Sequence, residues 1–438
     1  MLLFALLFAT LPPLSLQATK TRLPNGLTVI VSPDHSVPGV AVDLRYHVGS
    51  KDEDVGRTGF AHLFEHLMFM GARHVPYPKF DTIMEQAGGT NNASTANDVT
   101  EYHEVGPSNL LESFLWMESD RLATLGQEMT AEKLETQRKV VLNERRQSYE
   151  NRPYGLAGLA LEEHLYPEQS PYHWPVIGSA KDLEAAQLDD VTRFFANWYV
   201  PGNAILAIVG DVEPGQAEAL VQKYFGWLPA KEVPARKPPQ LVSLKGEDRL
   251  ALTDKVELPR VFAGWLSPAR NQPGDADCDL VATILARGKA SRLYERLVHK
   301  DGIATDVGAE QDSRELQGNF TITALARPGH TNQELLAAVD DEVKKLAAKG
   351  PTQAEVDSAR VRIYTDTARG LEDLVSRARR LTSYELDFGE PTALSRDLGR
   401  YEAATTQSVR EAARKVLNAD RVVVEVTPEL APAKEDKP

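Results

Sequence analysis

Between Gly59 and Met70 the chain reads GFAHLFEHLMFM, apolar nearly all round, with His62, Glu65 and His66 as its only strongly polar residues. A helix of that composition has no face to give to water and must be packed on every side. The three polar residues fall at i, i+3 and i+4, so they share one helix face. A buried carboxylate is costly without compensation, and two imidazoles beside it bring ring nitrogens that also need partners. A divalent cation would satisfy all three. The His pair sets two nitrogens about one turn apart, which suits two vertices of a tetrahedral zinc site with bonds of about 2.0–2.1 Å. Glu65, one residue before the second His, is then placed to act as general base toward a water that the metal polarises. The competing reading is a core helix whose histidines are satisfied by other groups; the apolar setting favours the metal. Thr58 offers an N-cap oxygen and Gly71 a residue for the C-terminal turn, so a short, bounded helix is expected.

The rest of the composition narrows where such a helix can live. A chain of 438 residues exceeds one comfortable core and implies two or three domains. Its hydrophobic fraction of 42% and charged fraction of 26% are those of an ordinary globular protein. A formal charge of −14 argues against nucleic acid or an anionic membrane surface as the main partner. Cys278 is the one cysteine, which excludes intrachain disulfides and a thiolate zinc cluster. Metal chemistry must therefore rest on His and carboxylate.

The apolar run Leu2 to Leu16, broken by Pro12 and Pro13, is too short for a stable membrane anchor. It resembles a secretory leader with Gln17-Ala18 as the cleavage point, although no Lys or Arg precedes Lys20 and Leu16 is large for its place. Residues 1–18 are accordingly read as a signal peptide, which implies a periplasmic or secreted protein; a cytoplasmic protein with an apolar N-terminus is the alternative.

After this leader, strands are expected over 27–31 and 40–48, with the metal helix following at once. A helix is expected over 80–87, then a loop or bulge at 88–92 and a polar strand over 93–105. Helices over 109–125 and from Thr130 to about Tyr149 come next. Ala204 to Gly210 reads as a buried strand and 214–225 as a helix. The stretch LPAKEVPARKPPQL from Leu228 has no periodicity and four prolines, and marks a linker over 229–245. The second half again opens with strands near 251–253 and 260–265. It continues with helices over 277–286, 291–299 and 331–348 and closes on an apolar strand at 421–426. The reading is an α+β protein of two half-chain domains that look duplicated, residues 19–228 and 246–430, each a mostly antiparallel sheet with helices. Residues 431–438 are polar and read as a disordered tail.

A catalytic zinc takes three protein ligands and keeps one position open. The residues alone leave the third ligand unsettled: His47, His74, His103 and many carboxylates are candidates. Glu144 shares an inward stripe with Leu134 and Val141 in the expected helix, with Gln137 two turns before it. Taken alone, Glu144 also fits a solvated position paired with Arg145 or Arg146.

The ordered segments HLFEHLMFMG, GGTNNASTANDVTEYHE, QRKVVLNERRQSYENRPYG, SPYHWPVIGSAKDLEAA and FFANWYVPGNAILAIVGDV resemble the pitrilysin and mitochondrial processing peptidase family of zinc metallopeptidases. Members carry the inverted His-x-x-Glu-His motif. The likeness runs from Leu23 to about Leu228 and more thinly beyond. It implies a half-clamshell fold and one zinc per chain held by His62, His66 and a Glu about 75–80 residues further on. That Glu is Glu144. Where some members have a supporting Glu seven residues earlier this chain has Gln137, which reduces the role to a hydrogen bond or removes it. The resemblance also implies that substrate peptide adds as a strand along Asn92-Ala93-Ser94. In the opposing region the family pattern L-R-x-x-x-G-L-A-Y supplies an Arg and a Tyr to the substrate. Here Val298 and Thr305 stand in their places, with His299 adjacent. The resemblance, with this departure, implies a zinc endopeptidase that needs a homologous subunit carrying the Arg/Tyr pair. A non-catalytic core, scaffold or peptide-binding subunit is the alternative.

Overall fold

The computed structural model describes residues 12–236 and 241–429. The first half begins with β1 (Thr19–Arg22), β2 (Thr28–Pro33), β3 (Gly39–Tyr46), α1 (Phe60–Leu67), α2 (Lys79–Ala87), β4 (Thr90–Thr95) and β5 (Thr100–Pro107). It continues through α3 (Leu111–Glu128), α4 (Ala131–Arg145), α5 (Gly155–Leu165), α6 (Ala180–Ala185), α7 (Leu188–Trp198), β6 (Ala204–Gly210) and α8 (Pro214–Phe225). The second half opens with β7 (Glu247–Asp254), β8 (Arg260–Ser267), α9 (Asp275–Ala286), β9 (Ala304–Asp312) and β10 (Gly318–Ala326). Five helices follow: α10 (Asn332–Lys349), α11 (Gln353–Gly370), α12 (Leu374–Phe388), α13 (Leu394–Ala403) and α14 (Thr406–Val416). The described chain closes on β11 (Arg421–Pro428).

Strand order carries the duplication that the residues only suggest. The first sheet runs β1-β2-β6-β3-β5-β4 and the second β7-β11-β8-β10-β9. With β1 set aside, the two orders are the same, each with one parallel pair, β2 with β6 and β7 with β11, and antiparallel pairs elsewhere. In both halves a helix leads from the second strand into the outer hairpin. In the first half that helix is α1; in the second it is α9, which bears no histidine.

Each sheet buries one face against helices of its own half and the other against helices lent by its neighbour. The first sheet packs on α1, α3, α7 and α8 through a core that includes Leu44, Phe64, Phe114 and Phe225. Its opposite face, with Ile30, Ala207 and Val209, is covered by Ala378, Leu381 and Leu394 of α12 and α13. The second sheet packs on α9, α10 and α14, and its Val422, Val424 and Val426 are covered by Leu161 and Leu165 of α5. Gly264 on β8 permits this approach: a Cβ there would lie 2.9 Å from Leu161 Cδ1 and 3.0 Å from Leu165 Cδ1.

The α12 seam on the first sheet is polar as well as apolar. Thr382 Oγ1 donates to Asp43 Oδ2 at 2.6 Å and receives a hydrogen bond from Arg45 Nε at 3.0 Å, while Arg45 and Arg379 both pair with Glu101. Asp43 is 0% exposed, and burial, opposed by nearby Arg45, pushes its carboxyl from 3.8 up to about 7. The native state therefore keeps a proton that the unfolded chain releases. Stability from this group is complete below about pH 4 and lost as pH rises through about 7. Asp43→Asn cannot ionise and is expected to show a smaller fall in Tm than the wild type between pH 5 and pH 8, measured by thermal melts at both.

The structure redraws several expected boundaries. The single strand over 93–105 is a hairpin: β4 already includes Thr90 and pairs antiparallel with β5 around a turn at 96–99. The helix expected to reach Tyr149 ends at Arg145, and one wider turn follows, closed by Asn151 N–H on Arg146 O at 2.7 Å. Both described ends of the linker are tied down. Arg236 pairs with Asp52 at 3.0 Å and stacks on Trp198, and Val242 exchanges two hydrogen bonds with the Gln317 amide. Residues 237–240 of that linker, 1–11 of the leader and the tail 431–438 lie outside the described residues. From Pro12 to Ala18 the leader segment packs on the fold. Leu16 is 8% exposed within the core of α12 and α13, and Gln17 O accepts from Ser32 Oγ at 2.6 Å. Cleavage after Ala18 would remove Leu16 from that core.

Candidate metal centre

α1 is positioned by its N-terminus. It starts at Gly59, with φ of +84°. A Cβ on Gly59 would meet Ile177 O at 2.8 Å, and one on Gly178 would meet Gly59 Cα at 2.4 Å. Two loop backbones thus cross in contact, and only glycine fits at either place. The expected cap at Thr58 is replaced. Thr58 Oγ1 donates to Asp182 at 2.6 Å and accepts from Ser179 N–H at 3.0 Å. Glu53 caps instead, accepting from the N–H groups of Gly59 at 2.9 Å and Ala61 at 2.7 Å. The helix is shorter than expected, ending at Leu67, and Gly71, with φ of +82°, turns the chain three residues past Met68.

On that helix the side chains of His62 and His66 meet Glu144 of α4. His62 Nε2 lies 3.7 Å from Glu144 Oε1, and His66 Nε2 lies 3.2 Å from Glu144 Oε2. One ligand atom from each residue falls within 4.8 Å of the others, and no other such group of His, Cys, Asp and Glu occurs among the described residues. Around a tetrahedral zinc with bonds of about 2.0–2.1 Å, neighbouring ligand atoms stand about 3.3–3.4 Å apart. The donors fit that ion with small adjustments. Burial, with His66 beside it, pushes the His62 imidazole down to about 4, so it is neutral at pH 7 with a lone pair to give. Its Nδ1 has no hydrogen-bond partner among the described residues, so no protein group there fixes the ring from behind.

Glu65 stands between the two histidines on the same helix. Its Oε2 accepts a hydrogen bond from Thr95 Oγ1 at 2.5 Å, and no hydrogen bond reaches Oε1 among the described residues. Burial pushes its carboxyl up to about 7; the Thr95 hydrogen bond opposes this and the charge of Glu144 adds to it. A bound cation would act in the opposite sense.

The other expected residues divide. His47 and His74 are engaged elsewhere, with Glu315 and Asp120, each at 2.7 Å. Arg145 does not take Glu144: it pairs with Glu150 at 3.2 Å and donates to Gly178 O at 2.6 Å. Gln137 is on α4 as expected, but its amide donates to Met70 Sδ at 2.8 Å and makes no hydrogen bond to the cluster. Ala93 packs against the core beneath α1, whereas Asn92 is exposed and its side chain accepts from Ala93 N–H. On alternate positions of β4, therefore, Thr95 turns to α1 while Ser94 bonds Glu101 on the α12 side. Thr305 Oγ1 is occupied by the Leu325 and Ala326 carbonyls, Val298 packs on the second core, and His299 is exposed.

Two features behind the site carry no sequence signal that motif reading could use. Thr95 lies in a run of ordinary strand residues. Arg121 is buried with Glu118 and Glu104 and stacks on Tyr102 at 4.5 Å, which forms part of the wall against Phe69. The 1-3-4 periodicity of α3 marks its apolar face but not this charged cluster within it.

A family model described as insulinase (peptidase family M16) matches residues 28–169, which contain all four site residues; one described as the peptidase M16 inactive domain matches residues 185–362. The zinc protease PqqE of Helicobacter pylori is 30% identical over 357 residues, covering 81% of this chain and 80% of that protein. An uncharacterized zinc protease of Mycobacterium tuberculosis is 28% identical over 414 residues, 93% of this chain and 92% of that one. Among solved structures, a protease from Helicobacter pylori superposes with a TM-score of 0.87 at 26% identity, covering 95% of this chain and 100% of that one. The periplasmic protease PqqL of Escherichia coli shares the fold, with a TM-score of 0.78 at 19% identity. The match covers 96% of this chain and 49% of that one.

Proposed function

The chain belongs to peptidase family M16, and from that premise we propose that it is a zinc-dependent metalloendopeptidase cleaving peptides or small unfolded proteins, as the catalytic subunit of a heterodimer. The observation that carries the proposal is the convergence of two imidazole nitrogens and one carboxylate beside Glu65.

Zinc held by His62, His66 and Glu144 would supply Lewis acidity at the scissile carbonyl and the attacking water. Glu65 does the proton work. With Oε2 engaged by Thr95, Oε1 takes the proton from the attacking water and returns it to the leaving amine. β4 is the outer strand of its sheet, so its free edge offers main-chain groups to an extended peptide along Asn92, Ala93 and Ser94. Backbone pairing of that kind holds many sequences with loose side-chain selection. Export from the cytoplasm is part of the proposal, supported by the leader-like N-terminus. No helix among the described residues is long and apolar enough to cross a membrane.

The heterodimer rests on two groups that the second half lacks. Val298 and Thr305 cannot supply the cation and phenol that their family counterparts bring to substrate, and Thr305 is already bonded within its own sheet. A homologous subunit with the Arg/Tyr pair would complete the clamp. The purified chain alone is expected to cleave an unstructured peptide poorly, and co-expression with such a subunit to raise kcat/KM by at least about 10²-fold. Full activity of the isolated chain as a homodimer would overturn the heterodimer.

A further inference from the structure

β4 is pinned on three sides. On its inner face Asn91 Nδ2 donates to Asp81 of α2 at 3.2 Å. On its outer face Ser94 Oγ donates to Glu101 at 2.9 Å and accepts from Arg379 of α12 at 2.8 Å. At the hairpin tip Asp98, 2% exposed, accepts from Tyr172 Oη at 2.6 Å and from Glu315 N–H at 2.8 Å. The Glu315 contact ties the hairpin to the loop between β9 and β10 of the second half. The strand is therefore a fixed reference against which a neighbouring side chain can be aligned.

Thr95, at the end of this strand, places its hydroxyl 2.5 Å from Glu65 Oε2. Glu65 has three side-chain torsions and no other hydrogen bond among the described residues to choose between them. We infer that Thr95 is a positioning residue for the general base: its hydroxyl captures one carboxylate oxygen and so presents the other, Oε1, for proton transfer. The inference rests on the peptidase reading above. It assigns the last residue of the peptide-binding strand a part in the chemistry, so that substrate docking and base alignment share one backbone segment.

Thr95→Val keeps the β-branched shape and removes the hydroxyl; Thr95→Ser keeps the hydroxyl and removes the methyl. Both would be assayed on a quenched fluorescent, unstructured peptide, in the assembly that gives wild-type activity, with zinc content measured alongside. Thr95→Val is expected to lower kcat by about 10–100-fold, the scale of one charge-assisted hydrogen bond, with KM and zinc content unchanged. Thr95→Ser should retain most of the wild-type kcat. On the residual rate, Thr95→Val added to Glu65→Gln should cost nothing further, because the two residues act as a unit. Wild-type kcat in Thr95→Val, equal impairment in Thr95→Ser, or independent losses in the double variant would each overturn the inference. If Glu65→Gln itself retains full activity, the peptidase reading fails; if it is inactive while Thr95→Val is not, only this inference fails.

Discussion

Glu65→Gln is expected to lower kcat on an unstructured peptide by about 10²–10⁴-fold while zinc remains bound at one per chain. Gln has the shape of Glu, its amide oxygen can still accept from Thr95, and it leaves both histidines and Glu144 untouched. The variant loses only the ability to take a proton. The substitution thus separates the two roles that meet on α1: holding a metal and moving a proton. The check is paired, with steady-state cleavage on one side and zinc analysis after gel filtration on the other. Unchanged turnover would remove Glu65 from the mechanism. Bound zinc and peptide capture without turnover in the wild type would favour a peptide-binding or scaffold role for the chain.

The second large effect concerns Glu144. Glu144→Gln is expected to abolish both stoichiometric zinc and peptide cleavage after dialysis against a weak chelator, with the helical circular dichroism spectrum unchanged. Glu144 is the one anionic ligand candidate in the cluster, and its side chain is 38% exposed, so the fold asks little of it. Its loss leaves two imidazoles one helical turn apart. Loss of even a group that only supports a ligand weakens metal affinity by about 10–100-fold, and removal of a ligand costs at least that much. Full zinc occupancy in Glu144→Gln would move the third ligand elsewhere.

Local chemistry made α1 readable. A helix face carrying His62, Glu65 and His66 in an apolar run is a property of spacing alone, because i, i+3 and i+4 meet on one side of any α-helix. The proline-rich break near residue 235 and the strand openings on both sides of it were legible for the same kind of reason. Turn residues and period-two apolar patterns act over a few positions. The boundaries moved where tertiary contacts compete with local signals. Thr58 looks like a cap, but Asp182 and Ser179 claim its hydroxyl and the buried Glu53 takes the helix N-terminus. The polar segment 93–105 has a strand composition throughout, and only the pairing of Thr95 with Thr100 shows that it folds back on itself.

The sequence by itself determined that His62, Glu65 and His66 share one face of α1, the division into two α+β halves and, through ordered motifs, the family. The packing of α4 on α1 decided that a carboxylate 78 residues beyond His66 lies 3.2 Å from its ring. The pairing of β4 decided that Thr95 rather than Asn92 faces Glu65, because alternate residues of a strand point to opposite sides. The exchange of α5 and α12 between the sheets was likewise invisible in either half, since each helix buries residues against a surface the other half supplies. The physical reason is common to all three. Periodicity records which face of an element is buried, whereas the identity of the group that covers that face depends on contacts between residues far apart in the chain.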